Sequence, residues 1–210
     1  MKVIALNGSP KAHGNTFHSI KIVTDELEKE GIATEIIHVN KVNTGCIGCG
    51  QCYTNRDEKC IQKGDLVNEW IQKMKEADGI ILGSPVHFTG ICANFKCFLD
   101  RAFYVSSANG NLFRHKVGAA LVAVRRSGGV TTFEQLNNYL NYSEILMPTS
   151  NYWNVIHGAT PEEALRDEEG VQTMRILGKN MAWALKLVEN GKDKVTAPER
   201  EPKIKMNFIR

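Results

Sequence analysis

Short apolar runs alternate along this chain with amphipathic segments of helix length, and no other feature restricts its fold as much. Strand, helix and strand in succession pack as a parallel crossover, so repeated alternation predicts one parallel sheet with helices on both faces. Residues 2–7 read as the first strand. A glycine-bearing turn then leads into a helix over residues 15–30, where Phe17, Ile20, Val23 and Leu27 recur at helical spacing and Gly31 supplies the stop. Residues 33–39 form a second strand; Gly79-Ile80-Ile81-Leu82-Gly83, apolar throughout, forms a third that belongs at the sheet centre. A fourth strand is expected over 116–124 and a weak fifth within 144–154. Further helices are expected from an N-cap at Asp65, over about 94–104 and 132–140, and from Pro161 to Val188 with a break near Glu169-Gly170. The fold class is therefore α/β, a doubly wound sheet of five parallel strands.

At 210 residues the chain supports one sizeable core. We assign residues 1–190 to a single domain with a cysteine-rich insertion at about 44–64. Residues 191–210 form a polar tail, either disordered or wrapped over a neighbouring subunit. The net charge of +3 is small and the basic residues are spread, so no nucleic-acid partner is expected. No apolar stretch reaches membrane-spanning length, and the N-terminal run lacks the length and cleavage site of a signal peptide. The expected location is the cytoplasm, where thiols stay reduced.

Ligands of open α/β sheets bind beyond the carboxyl ends of the strands, and three loops stand at such ends. The first, Gly8-Ser9-Pro10-Lys11-Ala12-His13-Gly14-Asn15-Thr16, runs straight into a helix N-terminus. Its Ser9 and Thr16 hydroxyls, Asn15 amide and free backbone N–H groups suit a phosphate, and the helix dipole adds attraction. The same turn would also serve simply as a helix cap. It lacks the Gly-Lys-Ser/Thr of a nucleotide-triphosphate loop and the G-x-G-x-x-G of a dinucleotide site. Asn7 and Ser84 stand where a phosphoryl-accepting receiver domain needs acids. The second loop is Ser84-Pro85-Val86-His87-Phe88-Thr89-Gly90, and the third Arg125-Arg126-Ser127-Gly128-Gly129. Phe88 and the adjacent glycines allow a flat ring to lie against both. His87 and His157 are the histidines nearest that edge, candidates for a functional role there or for a structural one.

Cys46, Cys49, Cys52 and Cys60 fall within fifteen residues, interleaved with Gly45, Gly48 and Gly50. In a reducing compartment this pattern points to a metal or redox site. An iron–sulfur cubane, a zinc ion, or no metal all remain open from the spacing. Cys92 and Cys97 lie at the start of a helix and read as packing residues. Tyr139, Tyr142, Tyr152 and Trp153 read as core or subunit interface.

The three loops resemble the FMN loops of the NAD(P)H-dependent FMN reductase-like flavoproteins over most of residues 1–160. That resemblance implies a flavodoxin-like sheet of order 2-1-3-4-5. It implies FMN phosphate on Ser9, Lys11, Asn15 and Thr16, and the isoalloxazine against Pro85, Val86, His87, Phe88 and Thr89 and against Arg126, Ser127, Gly128 and Gly129. It also implies a homodimer or homotetramer. The cysteine spacing resembles that of the iron–sulfur flavoproteins of the same wider family, which implies a [4Fe-4S] cluster on Cys46, Cys49, Cys52 and Cys60. The expected activity is an FMN-dependent oxidoreductase using NAD(P)H as cosubstrate and reducing a quinone-type acceptor or free flavin. The alternatives are an electron carrier between cluster, FMN and a ferredoxin-like partner, and a non-enzymatic redox sensor.

Overall fold

The computed structural model describes residues 1–209. In chain order its strands are β1 (Lys2–Asn7), β2 (Ala33–His38), β3 (Gly79–His87), β4 (Gly90–Ile91), β5 (Val117–Val124) and β6 (Val155–His157). Its α-helices are α1 (Asn15–Lys29), α2 (Gln51–Asn55), α3 (Val67–Glu76), α4 (Ala93–Ala108), α5 (Gly129–Tyr142) and α6 (Glu168–Gly191), with a 3-10 turn at Glu163–Arg166. Successive side chains of a strand point to opposite faces. Val3 and Ala5 of β1 accordingly join Ile81 and Leu121 beneath α1 and α6, while Ile4 and Leu6 join Ile80, Leu82 and Val122 beneath α3, α4 and α5. Both sets are buried, which explains why these strands are apolar throughout. Each fully buried Val, Leu or Ile contributes about 1.5–3 kcal/mol.

The strands run β2-β1-β3-β5-β6, every neighbouring pair parallel, and β4 folds back antiparallel on β3. The chain moves outward from β1 to β2, then crosses to the other side of β1 for all that follows. The order therefore reverses between β1 and β3, where the diverging loops open a cleft. Among the described residues, no helix is long and apolar enough to cross a membrane.

Four elements differ from expectation. The last parallel strand is Val155–His157, just beyond the 144–154 window; within that window Leu146 makes one isolated bridge to Val117. Pro148 and the turn formers after it keep this segment off the sheet until Asn154, whose amide donates to Ala120 O at 2.9 Å. Strand β3 continues through Ser84-Pro85-Val86 to His87 before turning back, so that much of the second loop is strand. The helix expected over 161–188 is broken at Asp167 rather than at Glu169-Gly170, and α6 starts there because the Asp167 carboxylate caps its first turn by accepting from Gly170 N at 3.0 Å. Leu66 rather than Asp65 holds the N-cap position of α3; Asp65 turns inward to Arg101 while still accepting from Val67 N, at the start of that helix, at 3.4 Å.

Gly8 joins β1 to the first loop, donating to Gly83 O at 2.8 Å. A Cβ there would lie 2.2 Å from Phe95 Cγ, inside a ring that has no room to move. Gly8→Ala is expected to destabilise the fold by about 1–3 kcal/mol, the usual cost of overpacking. Urea unfolding should show a lower midpoint at unchanged m-value.

Candidate functional site

The first loop is shaped from within. Asn7, fully buried at the end of β1, accepts from Ser9 N at 3.1 Å and donates to Ala12 O at 3.0 Å. Ser9 Oγ accepts from Lys11 N at 3.1 Å, and the His38 ring bonds Ser9 O through Nε2 at 2.8 Å. The loop delivers the chain to Gly14, which precedes α1 without any side-chain cap, and the first turn holds no acid. Its N–H groups and positive dipole end are thus left for an anion. Ser9, Lys11, Asn15 and Thr16 line one cleft of about 240 Å³ together with Pro85, Val86 and His87.

Asn15 is committed elsewhere: its amide donates to Thr160 O at 2.8 Å and accepts from Ala164 N at 3.3 Å. It ties the start of α1 to the segment after β6, and Gly158 fits there because a Cβ would strike Ala164 N at 2.6 Å. Arg126, Ser127, Gly128 and Gly129 line a second cleft of about 360 Å³, with Trp153 and His157. Phe88 and Thr89 border neither: they form the tip of the β3–β4 hairpin, and Phe88 is fully exposed. The structure thus brings the first loop and the end of β3 together, and sets the third loop beside them.

His157 reaches Asp167 by its backbone N–H at 2.7 Å and its ring Nδ1 at 3.3 Å. Burial pushes the Asp167 carboxyl up, but hydrogen bonds from the N–H groups of Gly170 and His157 and from the His157 ring outweigh it and hold it below the ordinary value.

The cysteine loop is organised around a residue that sequence reasoning passed over. Arg101 of α4 has a side chain with 0% exposure, paired with an Asp65 at 1%. Its five N–H donors go to Asp65 Oδ2 (2.5 Å) and Oδ1 (3.1 Å), Thr44 O (3.3 Å), Gln62 O (3.2 Å) and Cys60 Sγ (3.4 Å). Burial pushes the Asp65 carboxyl up, yet the Arg101 guanidinium and the Asn43 N–H hold it below the usual carboxylate range. Cys46 and Cys49 are exposed, Cys52 buried and Cys60 half-buried, all as free thiols. Burial first, and then the proximity of Cys46 and Cys49, push the Cys52 thiol up. Cys97 lies against the loop, its Sγ 3.3 Å from where a Gly45 Cβ would stand.

The family model for NADPH-dependent FMN reductases matches residues 1–160. The chain belongs to this family. An iron–sulfur flavoprotein of Methanocaldococcus jannaschii is 40% identical over 197 residues, covering 90% of this chain and 100% of that protein. Another, from Methanosarcina thermophila, is 29% identical over 197 residues, covering 92% of this chain and 100% of that one. The crystal structure of RosB with a bound formylriboflavin phosphate intermediate superposes with a TM-score of 0.73 at 15% identity, covering 100% of this chain and 94% of that one.

In this FMN reductase-family chain the uncapped, acid-free start of α1 beside Ser9, Lys11 and Thr16 fits the phosphate of FMN. For a [4Fe-4S] cluster the donor chemistry fits, since four thiols on one loop are what a cubane takes, and Gly48 and Gly50 in positive φ wrap the backbone between them. The thiols are not gathered: among the described residues, no group of three or more His, Cys, Asp or Glu side chains is arranged to hold a metal ion. Arg101 was detectable in the sequence as one charge inside the apolar stripe of Phe95, Phe98, Leu99 and Ala102; its partner, thirty-six positions away, was not.

Arg101→Met should destabilise the protein by about 3–5 kcal/mol, because it strands a buried carboxylate. A double variant that also carries Asp65→Leu should recover much of this in urea unfolding. Because the folded pKa of Asp65 lies below its unfolded value of about 3.9, its stabilisation is complete above that pH. It is lost as pH falls through the folded value. An acid titration of stability should show this loss in the native protein and not in the double variant.

Proposed function

We propose that this chain is an iron–sulfur flavoprotein: an FMN-binding oxidoreductase that passes single electrons between flavin and a [4Fe-4S] cluster. One observation carries the reading. A four-cysteine loop and an uncapped phosphate-type loop occur together in a chain similar over nine-tenths of its length to a protein named for both groups.

Ser9, Lys11 and Thr16, with the free N–H groups of the first turn of α1, would hold the phosphate. Asn15 positions that turn through Thr160 and Ala164. Pro85, Val86 and His87 on one side and Arg126, Ser127, Gly128 and Gly129 on the other would flank the ring system. Phe88 and Thr89 would act from the hairpin tip as its lip. His157, oriented by Asp167, is available to hold a proton at its Nε2 near the second cleft. FMN, when bound, supplies chemistry that links two-electron and one-electron reactions.

Cys46, Cys49, Cys52 and Cys60 would hold the cluster, which supplies one-electron exchange. In this reading Arg101 fixes the two ends of the loop, and the cluster itself would draw the four thiols together. A ferredoxin-like protein is the expected electron partner, and a homodimer or homotetramer the expected assembly. The family's description favours a second reading, in which NADPH reduces FMN; a small quinone-type molecule would be the further acceptor.

Anaerobically prepared protein should show flavin bands and about four irons and four sulfides per chain. Cys49→Ser should lower the iron and leave the flavin. Flavin with no iron after anaerobic reconstitution, together with NADPH turnover, would select the second reading. Failure to bind added FMN would sink both.

A further inference from the structure

Beside the cysteine loop lies a groove of about 460 Å³ to which the flavin reading gives no role. It runs between α4 and α5 and is lined chiefly by Tyr53, Phe103, Tyr104, Tyr139 and Tyr142, with Cys46 at one edge. Its one carboxylate, Asp100, is already satisfied: it accepts from Lys96 Nζ at 2.9 Å through each oxygen and from the Tyr139 hydroxyl. Burial and Asp100 push the Tyr139 phenol up to about 12, so it stays a neutral donor. An apolar group entering this groove would strand no charge.

The tail beyond α6 reaches the rings of this groove. Arg114 Nη1 donates to Pro198 O at 3.1 Å, and the Arg200 guanidinium lies by Gly110. Lys203 Nζ bonds the Tyr142 hydroxyl at 3.1 Å and sits 4.2 Å from its ring centroid, while Lys205 Nζ stands 5.8 Å from the Tyr53 ring. Two cations thus tether the tail to two of the aromatic rings that line the groove. Past this tether the chain turns at Asn207, whose side chain accepts from Ile209 N at 3.1 Å. The turn carries Phe208 and Ile209, which are 87% and 85% exposed.

We propose that the C-terminal segment of this chain is the occupant of the groove: a strap, tethered by Lys203 and Lys205, that closes by seating Phe208 and Ile209 on the rings beside Cys46. The four residues from Lys205 to Phe208 span up to about 10 Å, enough to carry an aromatic side chain from the Tyr53 edge onto Phe103 and Tyr104. Closure removes two large apolar side chains and an aromatic groove from water at once. It also covers the face of the cysteine loop on which Cys46 opens, so the strap would limit access of solvent and oxidants to that thiol. The inference does not depend on what the cysteines carry.

Trypsin cleavage after Lys203 and Lys205, mapped by mass spectrometry on the full-length protein, tests it. Phe208→Ser/Ile209→Ser should speed this cleavage about tenfold, equivalent to about 1.4 kcal/mol of closure. Tyr104→Ser, on the groove side, should do the same, and the combination should add little to either. Equal cleavage rates in all these proteins would overturn the proposal. Protection that rises with protein concentration would also overturn it, assigning the groove to the tail of a second copy.

Discussion

The buried pair of Arg101 and Asp65 is the constraint on which the arrangement of this molecule turns. Taking both charges out of water costs several kcal/mol for each ion, and that cost is offset only when every donor finds a partner. Arg101 meets this condition by bonding the carbonyls of Thr44 and Gln62 and the sulfur of Cys60 along with the carboxylate. A segment with little regular structure is thereby closed at its neck, since Thr44 precedes the first cysteine and Gln62 follows the last. The cysteine loop therefore needs no disulfide and no apolar core of its own to hold its ends together.

Helix α4, which carries Arg101, is also the element that connects the two candidate sites. One turn and a half before Arg101, Phe95 fills the space under Gly8 and so fixes the start of the phosphate-type loop. Cys92, at the helix start, donates its backbone N–H to the Ser84 hydroxyl at 3.2 Å, inside β3. Cys97 rests against Gly45. One rigid helix thus touches the end of β1, the end of β3 and the cysteine loop. This explains why its buried face mixes large aromatics with a single arginine: each side chain is matched to a different neighbour.

The layers of the fold were legible in the sequence because hydrophobic period carries them. The continuous burial of β1 and the continuous apolar runs of β3 and β5 follow from covering both faces of a parallel sheet. The turn between β1 and α1 was legible because glycine and small polar residues end a strand and lead into a helix. What escaped was set by contacts between distant residues. Asp65 looks like a helix cap until Arg101 is brought beside it, and Asn15 looks like a ligand until Thr160 and Ala164 take up its amide. The final strand was displaced because only three residues of it pair with β5, too few to leave a periodic signal.

The β3–β4 hairpin is a strained turn held by its neighbours. Its central residues, Phe88 and Thr89, have φ of 48° and 58°, a left-handed conformation that favours glycine or asparagine. A bulky aromatic and a β-branched residue there cost about 1–3 kcal/mol each, and such strain persists only where the surroundings over-determine it. Gln135 supplies part of that restraint, accepting from Ile91 N and donating to Thr89 O, both at 3.4 Å. Gly128 supplies the rest, because any Cβ at its φ of +87° would meet Thr89 Cα at 3.0 Å. The third loop and the hairpin are therefore fitted to each other without space between them. A strained turn held in this way presents Phe88 in one place.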